Sequence, residues 1–277
     1  MTAPVRIATA AIMMAIGLWL SRSVRGLVAL VDVNAARLGF EMMGIEIGLM
    51  AIAISAAWAL PGSVTDRLGL RASRLPTGAV IALVIGTLGL SHAIEAALSL
   101  TRVAEHSVMT GISRGLEGAH GRGFAIALLG TVLAPAIGEE LLCRGVLQRS
   151  LARWLGPAAA VLIASLAFGW LHGELVHGFV AASIGCYLGL AAYWSDSTRP
   201  AIAAHAANNL AALLGSAGLL STQLPILPGF LAGVSLAATG LVWAFRARPH
   251  GEHPNPRTAP QTLEPDALQP QRDSADV

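Results

Sequence analysis

Apolar residues fill stretches of almost 20 positions along most of this chain, with short polar turns between them. The stretches lie at about 7–20, 45–61, 78–100, 124–145, 157–176, 178–194, 200–220 and 226–245. A helix needs about 20 apolar residues to cross the hydrocarbon of a bilayer. The pattern predicts an all-α, polytopic transmembrane helical bundle of about eight spans, or seven if the first does not cross. That first stretch is short and follows Arg6, but no small-x-small cleavage site comes after Leu20. The expectation is therefore an uncleaved, short or tilted helix rather than a signal peptide. Residues 24–44 mix Arg25, Asp32, Arg37 and Glu41 with apolar neighbours, the pattern of a helix lying along the interface.

Composition agrees with a membrane protein. The 277 residues are 55% hydrophobic and 12% charged, against about 25% charged in soluble domains. Net charge is +2, and all 18 basic residues are arginine. The arginines are scattered between spans rather than gathered in a patch with aromatic platforms, which argues against a nucleic-acid partner. With eight spans, Arg6, Arg67, Arg71, Arg74, Arg149, Arg153, Arg199, Arg246 and Arg248 share a side with the termini. Arg22, Arg25, Arg37, Arg102, Arg114 and Arg122 fall on the other, so the excess favours cytoplasmic termini. Cys143 and Cys186 lie within apolar segments and read as small buried hydrophobes. Residues 1–246 form the expected membrane domain; 247–277, rich in Pro, Gln, Asp and Glu, cannot bury a core and are expected to be disordered.

Three polar clusters interrupt the apolar spans, where each charged group costs roughly 2.5–3.5 kcal/mol at mid-bilayer. The first is Glu139-Glu140 with Arg144. Glu140 and Arg144 are spaced i,i+4 and face each other on a helix. Glu139 is turned about 100° away and has no local cation, so it is the carboxylate free to act as a general base. The bland alternative has both glutamates ending a helix among Arg144 and Arg149. The second cluster places Phe168 and His172 on one helix face, with Glu174 and His177 just beyond; a polar interfacial turn is its alternative reading. The third is His205 with Asn209, one turn apart and flanked by alanine. Two such donors suit a developing oxyanion, or serve as polar glue between helices. His92 and Glu95, in the third span, are expected to hydrogen-bond each other.

At these residues the chain resembles the CAAX protease and bacteriocin-processing (CPBP) family, the type II CAAX prenyl endopeptidases or glutamic intramembrane proteases. The matching signatures are E-E-x-x-x-R at Glu139, Glu140 and Arg144, F-x-x-x-H at Phe168 and His172, and H-x-x-x-N at His205 and Asn209. They stand in order within about 120–220, and Gly185-x-x-x-Gly189 resembles the family's close-packed helix between the second and third motifs. Cys143 stands where an aromatic residue is common in the family. The resemblance implies a polar intramembrane cavity open to one face and hydrolysis of a peptide bond without metal or cofactor. It implies that Glu139 and His172 activate water, that His205 and Asn209 stabilise the oxyanion, and that Glu140, Arg144 and Phe168 support the site. The implied partner is a membrane-associated protein or peptide, cut in its C-terminal region, in the bacterial inner membrane.

Bringing these residues together makes demands on the helices. Pro135 is expected to break the fourth span and lower Glu139 into the membrane. His172 reaches the level of the site if the fifth span continues to about residue 177. Two other readings compete: a zinc metalloprotease using Glu139, His172 and His205, without an H-E-x-x-H helix, and a non-catalytic membrane scaffold or immunity protein.

Overall fold

A computed structural model of the chain describes residues 3–26, 34–60, 62–101, 103–221 and 224–249. Helices dominate these residues, and among them there is no strand. In chain order they are α1 Ala3–Gly26, α2 Asn34–Ala59, α3 Val64–Arg67, α4 Thr77–Ser99, α5 Val108–Leu116, α6 Gly121–Leu155, α7 Pro157–Leu171, α8 Leu175–Ser195, α9 Arg199–Ser216 and α10 Ile226–Ala247. Five of them, α2, α4, α6, α8 and α10, are long and apolar enough to cross a bilayer. Each of the eight predicted spans falls on a helix. The protein is an all-helical, integral membrane bundle.

Several predicted boundaries move. α1 is 24 residues long, more than the stretch 7–20. Residues 34–44 do not lie apart at the interface; they form the first turns of α2, continuous with the apolar run after them. An apolar face continues through that segment, with Ala35, Ala36, Gly39 and Gly44 buried, while Arg37 and Glu41 pair on the exposed side at 3.4 Å. Residues 27–33, and the predicted disordered tail from residue 250 onward, lie outside the described residues. His92 and Glu95 do not bond: Glu95 faces outward, and the buried His92 Nε2 has no hydrogen-bond partner.

Small side chains set the packing. Ala79, Leu83, Tyr187, Ala191, Ala237 and Ala244 join α4, α8 and α10; Val180, Ile184, Leu188, Ala201 and Ala204 join α8 to α9. Alanine and glycine let helices approach closely, and in lipid that proximity supplies the van der Waals contact that drives association. Large apolar residues point the other way: Ile12 and Trp19 of α1, Leu166 and Trp170 of α7, and Leu231 and Trp243 of α10 are exposed, as lipid-facing positions require.

One end of the bundle is tied by a polar knot. Thr198 N–H donates to Gly69 O and Arg74 N–H to Ser195 O, both at 2.8 Å. Arg149 donates to the Asp196 carboxylate at 3.1 Å and to its backbone carbonyl at 2.8 Å. At the other end of α8, Glu174 accepts from Val176 and His177 N–H at 2.7 and 3.0 Å, and from Ser107 Oγ at 2.6 Å. These bonds hold the carboxyl down to about 2, the Ser107 hydroxyl being the largest cause.

Candidate active site

The site is built on α6, whose winding changes along its length. Ala134–Glu140 is α-helical, between π-helical turns at Leu128–Leu133 and Leu141–Gln148. Such wide turns recur at functional sites because they re-aim side chains without ending the helix. Pro135 therefore does not break α6 as expected. The π turn before it has already moved the bonding register, with Ala134 N–H reaching back to Leu129 O. Pro135 has no N–H to offer the Thr131 carbonyl four residues earlier, and Asn209 Nδ2 donates to that carbonyl at 3.2 Å.

The two adjacent glutamates have different surroundings. Glu140 is fully enclosed. Its Oε1 accepts from Arg144 at 2.7 Å and from His205 Nδ1 at 2.9 Å. Arg144, 1% exposed, spends a second donor on Gly185 O at 2.8 Å and lies over the Phe168 ring at 4.4 Å. A buried charge pair is tolerable when further hydrogen bonds satisfy its remaining atoms, as these do in part. Glu139 makes a looser contact, its Oε2 lying 3.7 Å from His205 Nε2, beyond hydrogen-bond reach.

Hydrogen bonds also fix which ring nitrogens are free. A carbonyl can only accept, so His172 Nδ1 carries the proton it shares with Phe168 O at 2.8 Å, and in the neutral ring Nε2 keeps its lone pair. His205 Nδ1 is spent on Glu140, which leaves Nε2 towards Glu139. Phe168 meets both rings edge-on, His172 at 5.0 Å and His205 at 5.7 Å between centroids. His177 adds an edge contact to His172 at 4.4 Å.

The fifth span does not run on to residue 177; α7 ends at Leu171 and His172 caps it. Its 15 residues cover about 22 Å, short of the roughly 30 Å hydrocarbon core. The shortness of α7 and the reach of Phe168, rather than a longer helix, bring His172 towards His205. Of the residues singled out from sequence, Glu139, Glu140, Arg144, Phe168 and His205 form one packed group, and His172 joins through Phe168. Asn209 stands a turn beyond His205 but is turned to Thr131 rather than paired with it.

Three participants were not singled out from sequence. Gln148 donates to Gly189 O at 2.9 Å, one turn beyond the Arg144–Gly185 bond, so that two carbonyls of α8 are read by two side chains of α6. This works because neither glycine has a Cβ: one built on Gly189 would stand 2.9 Å from Gln148 Oε1. Thr131 is the second. Glu46 of α2 is the third, 3% exposed and within electrostatic reach of Glu139. Its signal is an acid inside an apolar run, masked because a span over 45–61 puts position 46 at its polar end. Cys143 packs with Phe168 and Ala181 in a small apolar cluster. Among the described residues, no group of three or more His, Cys, Asp and Glu side chains is arranged to hold a metal ion.

Residues 121–211 match the family model described as Rce1-like, Type II CAAX prenyl endopeptidase Rce1-like. That stretch runs from the start of α6 into α9 and contains all three motifs. Comparisons with curated proteins and with solved structures give no match. Over the segment that carries Glu139, His172 and His205, the chain is similar to the type II CAAX prenyl endopeptidases of that family model.

Proposed function

We propose that this protein is a glutamic intramembrane endopeptidase, with Glu139 as the base that activates water. The observation that carries the reading is the asymmetry between neighbouring carboxylates. Glu140 Oε1 accepts from both Arg144 and His205 Nδ1, while its Oε2 is buried without a partner; Glu139 makes neither bond and keeps Oε2 3.7 Å from His205 Nε2. One glutamate orients; the other has capacity for chemistry. Glu139 takes a proton from water, and the water oxygen adds to the scissile carbonyl carbon. His172 Nε2 accepts the water's second hydrogen bond and holds it in line. His205, donating from Nδ1 to Glu140 and from Nε2 to the oxyanion, and the second N–H of Asn209 stabilise the developing charge. When the carbon–nitrogen bond breaks, Glu139 returns its proton to the leaving amine, which balances the hydrolysis. Glu140, Arg144 and Phe168 hold this arrangement, and no metal or cofactor takes part.

The substrate is a membrane-associated protein or peptide, cut in its C-terminal region, in the bacterial inner membrane. The family match and the apolar helices support that class. Comparative proteomics of membrane-protein C-termini, in cells carrying the native protein or Glu139→Ala, tests the reading. The variant should stay folded in the membrane and leave uncut C-termini that the native protein trims. Identical C-termini in both strains would reject it.

A further inference from the structure

Glu46 sits in the middle of α2, between apolar residues on both sides, and is only 3% exposed. Its Oε2 has no hydrogen-bond partner. An unpaired carboxylate at that depth is among the costliest groups a membrane protein can hold, so its retention calls for a partner or a proton. The neighbouring helix makes room for it: a Cβ built on Gly138 would stand 2.6 Å from Glu46 Oε2. Gly138 directly precedes Glu139, and the charges of Glu46 and Glu139 act on each other. Cys143 of α6 also has Glu46 among the charges that surround it. The cations of the site lie on Glu139's side, with His205 3.7 Å from Glu139 and Arg144 among the charges that act on it. Among the described residues no ion pair reaches Glu46.

We propose that Glu46 is a further residue of this site, a neutral carboxylic acid beside Glu139 that keeps the proton of the pair and so leaves Glu139 ionised. Where two buried carboxylates share one site a second unpaired charge is costly, and their surroundings decide which of them ionises. The carboxyl that faces cations ionises; the one with none stays protonated. Glu46 acts through Glu139 and is a positioning residue. Its consequence for the reaction is an alkaline limit: once Glu46 loses its proton, a second negative charge stands beside the base and the forming oxyanion.

The inference rests on the reading of Glu139 as the base, but its first test does not. Infrared spectra of the full-length protein in proteoliposomes report protonated carboxyl groups by a carbonyl stretch that carboxylates lack. At neutral pH the native protein should show that band. Glu139→Gln should keep it, Glu46→Asp should keep it at a shifted position, and Glu46→Gln should lose it. A band that survives Glu46→Gln unchanged, or vanishes in Glu139→Gln, overturns the proposal. The second test uses a farnesylated, fluorescence-quenched C-terminal peptide. The alkaline fall of kcat/KM should move to higher pH in Glu46→Gln, whatever its rate at neutral pH; an unmoved fall counts against the proposal. Cleavage that persists in Glu139→Ala would instead reject the base assignment and leave the infrared result standing.

Discussion

At the scale of single residues, Arg144 shows how a charge survives in this environment. It is 1% exposed, yet it meets Glu140, the Gly185 carbonyl and the face of Phe168. Removing one partner of such a group leaves the other buried and uncompensated, at a cost of roughly 3–5 kcal/mol. Arg144→Ala should therefore lower the stability of the detergent-solubilised protein by about that much, read from unfolding in mixed micelles. The double variant Arg144→Met with Glu140→Gln should recover part of the loss, because no ion is then left unpaired. The E-E-x-x-x-R spacing showed the Glu140–Arg144 pair, since helical neighbours four apart are a local matter. It did not show His205 on the same carboxylate, 65 positions away.

At the scale of helices, α6 is decisive because its winding is irregular. Pro135 and the π turn before it leave the Thr131 carbonyl to Asn209. Pro135→Ala supplies an N–H that competes for that carbonyl and frees the Asn209 amide to turn. Peptide cleavage should fall, by up to on the order of 100-fold if a catalytic group moves about 1 Å, while thermal stability holds; unchanged cleavage would mean that this anchor does not matter. The crossing of α6 and α8 is equally tight. A Cβ on Gly185 would stand 3.1 Å from both Arg144 and Phe168 Cδ1. Gly185→Val should destabilise the bundle by roughly 1–3 kcal/mol through overpacking, measured by the same unfolding assay. The apolar runs made these helices legible, since the length of a span is set by the bilayer. Their π turns and the early end of α7 were not, because each depends on what the helix packs against.

At the scale of the whole molecule, the bundle is tied at both ends by loop contacts. Glu174 joins the turn after α7 to the segment that contains Ser107. Its carboxyl lies at about 2 in the folded protein against its ordinary 4.5, with the Ser107 bond first among the causes. A carboxyl lowered by folding contributes stability above 4.5, and that contribution is lost as pH falls through about 2. Exchange of the Val176 and His177 amides should therefore quicken across this window in the native protein. In Glu174→Gln it should show no such step.

Apolar run lengths and charge scarcity are properties of the chain itself, so the sequence alone determined that this is an all-helical membrane protein. Three short motifs at helical spacing carried the resemblance to the family whose model matches residues 121–211. The contacts between them were decided only in three dimensions. Glu140 reaches His205, Phe168 touches two histidines, Asn209 finds the carbonyl that Pro135 leaves, and Glu46 comes from a helix outside the motifs to stand against Gly138, the neighbour of Glu139. Sequence spacing reports which residues share a helix face. Which faces meet depends on where small residues let helices close up, and that is settled by packing of the whole bundle.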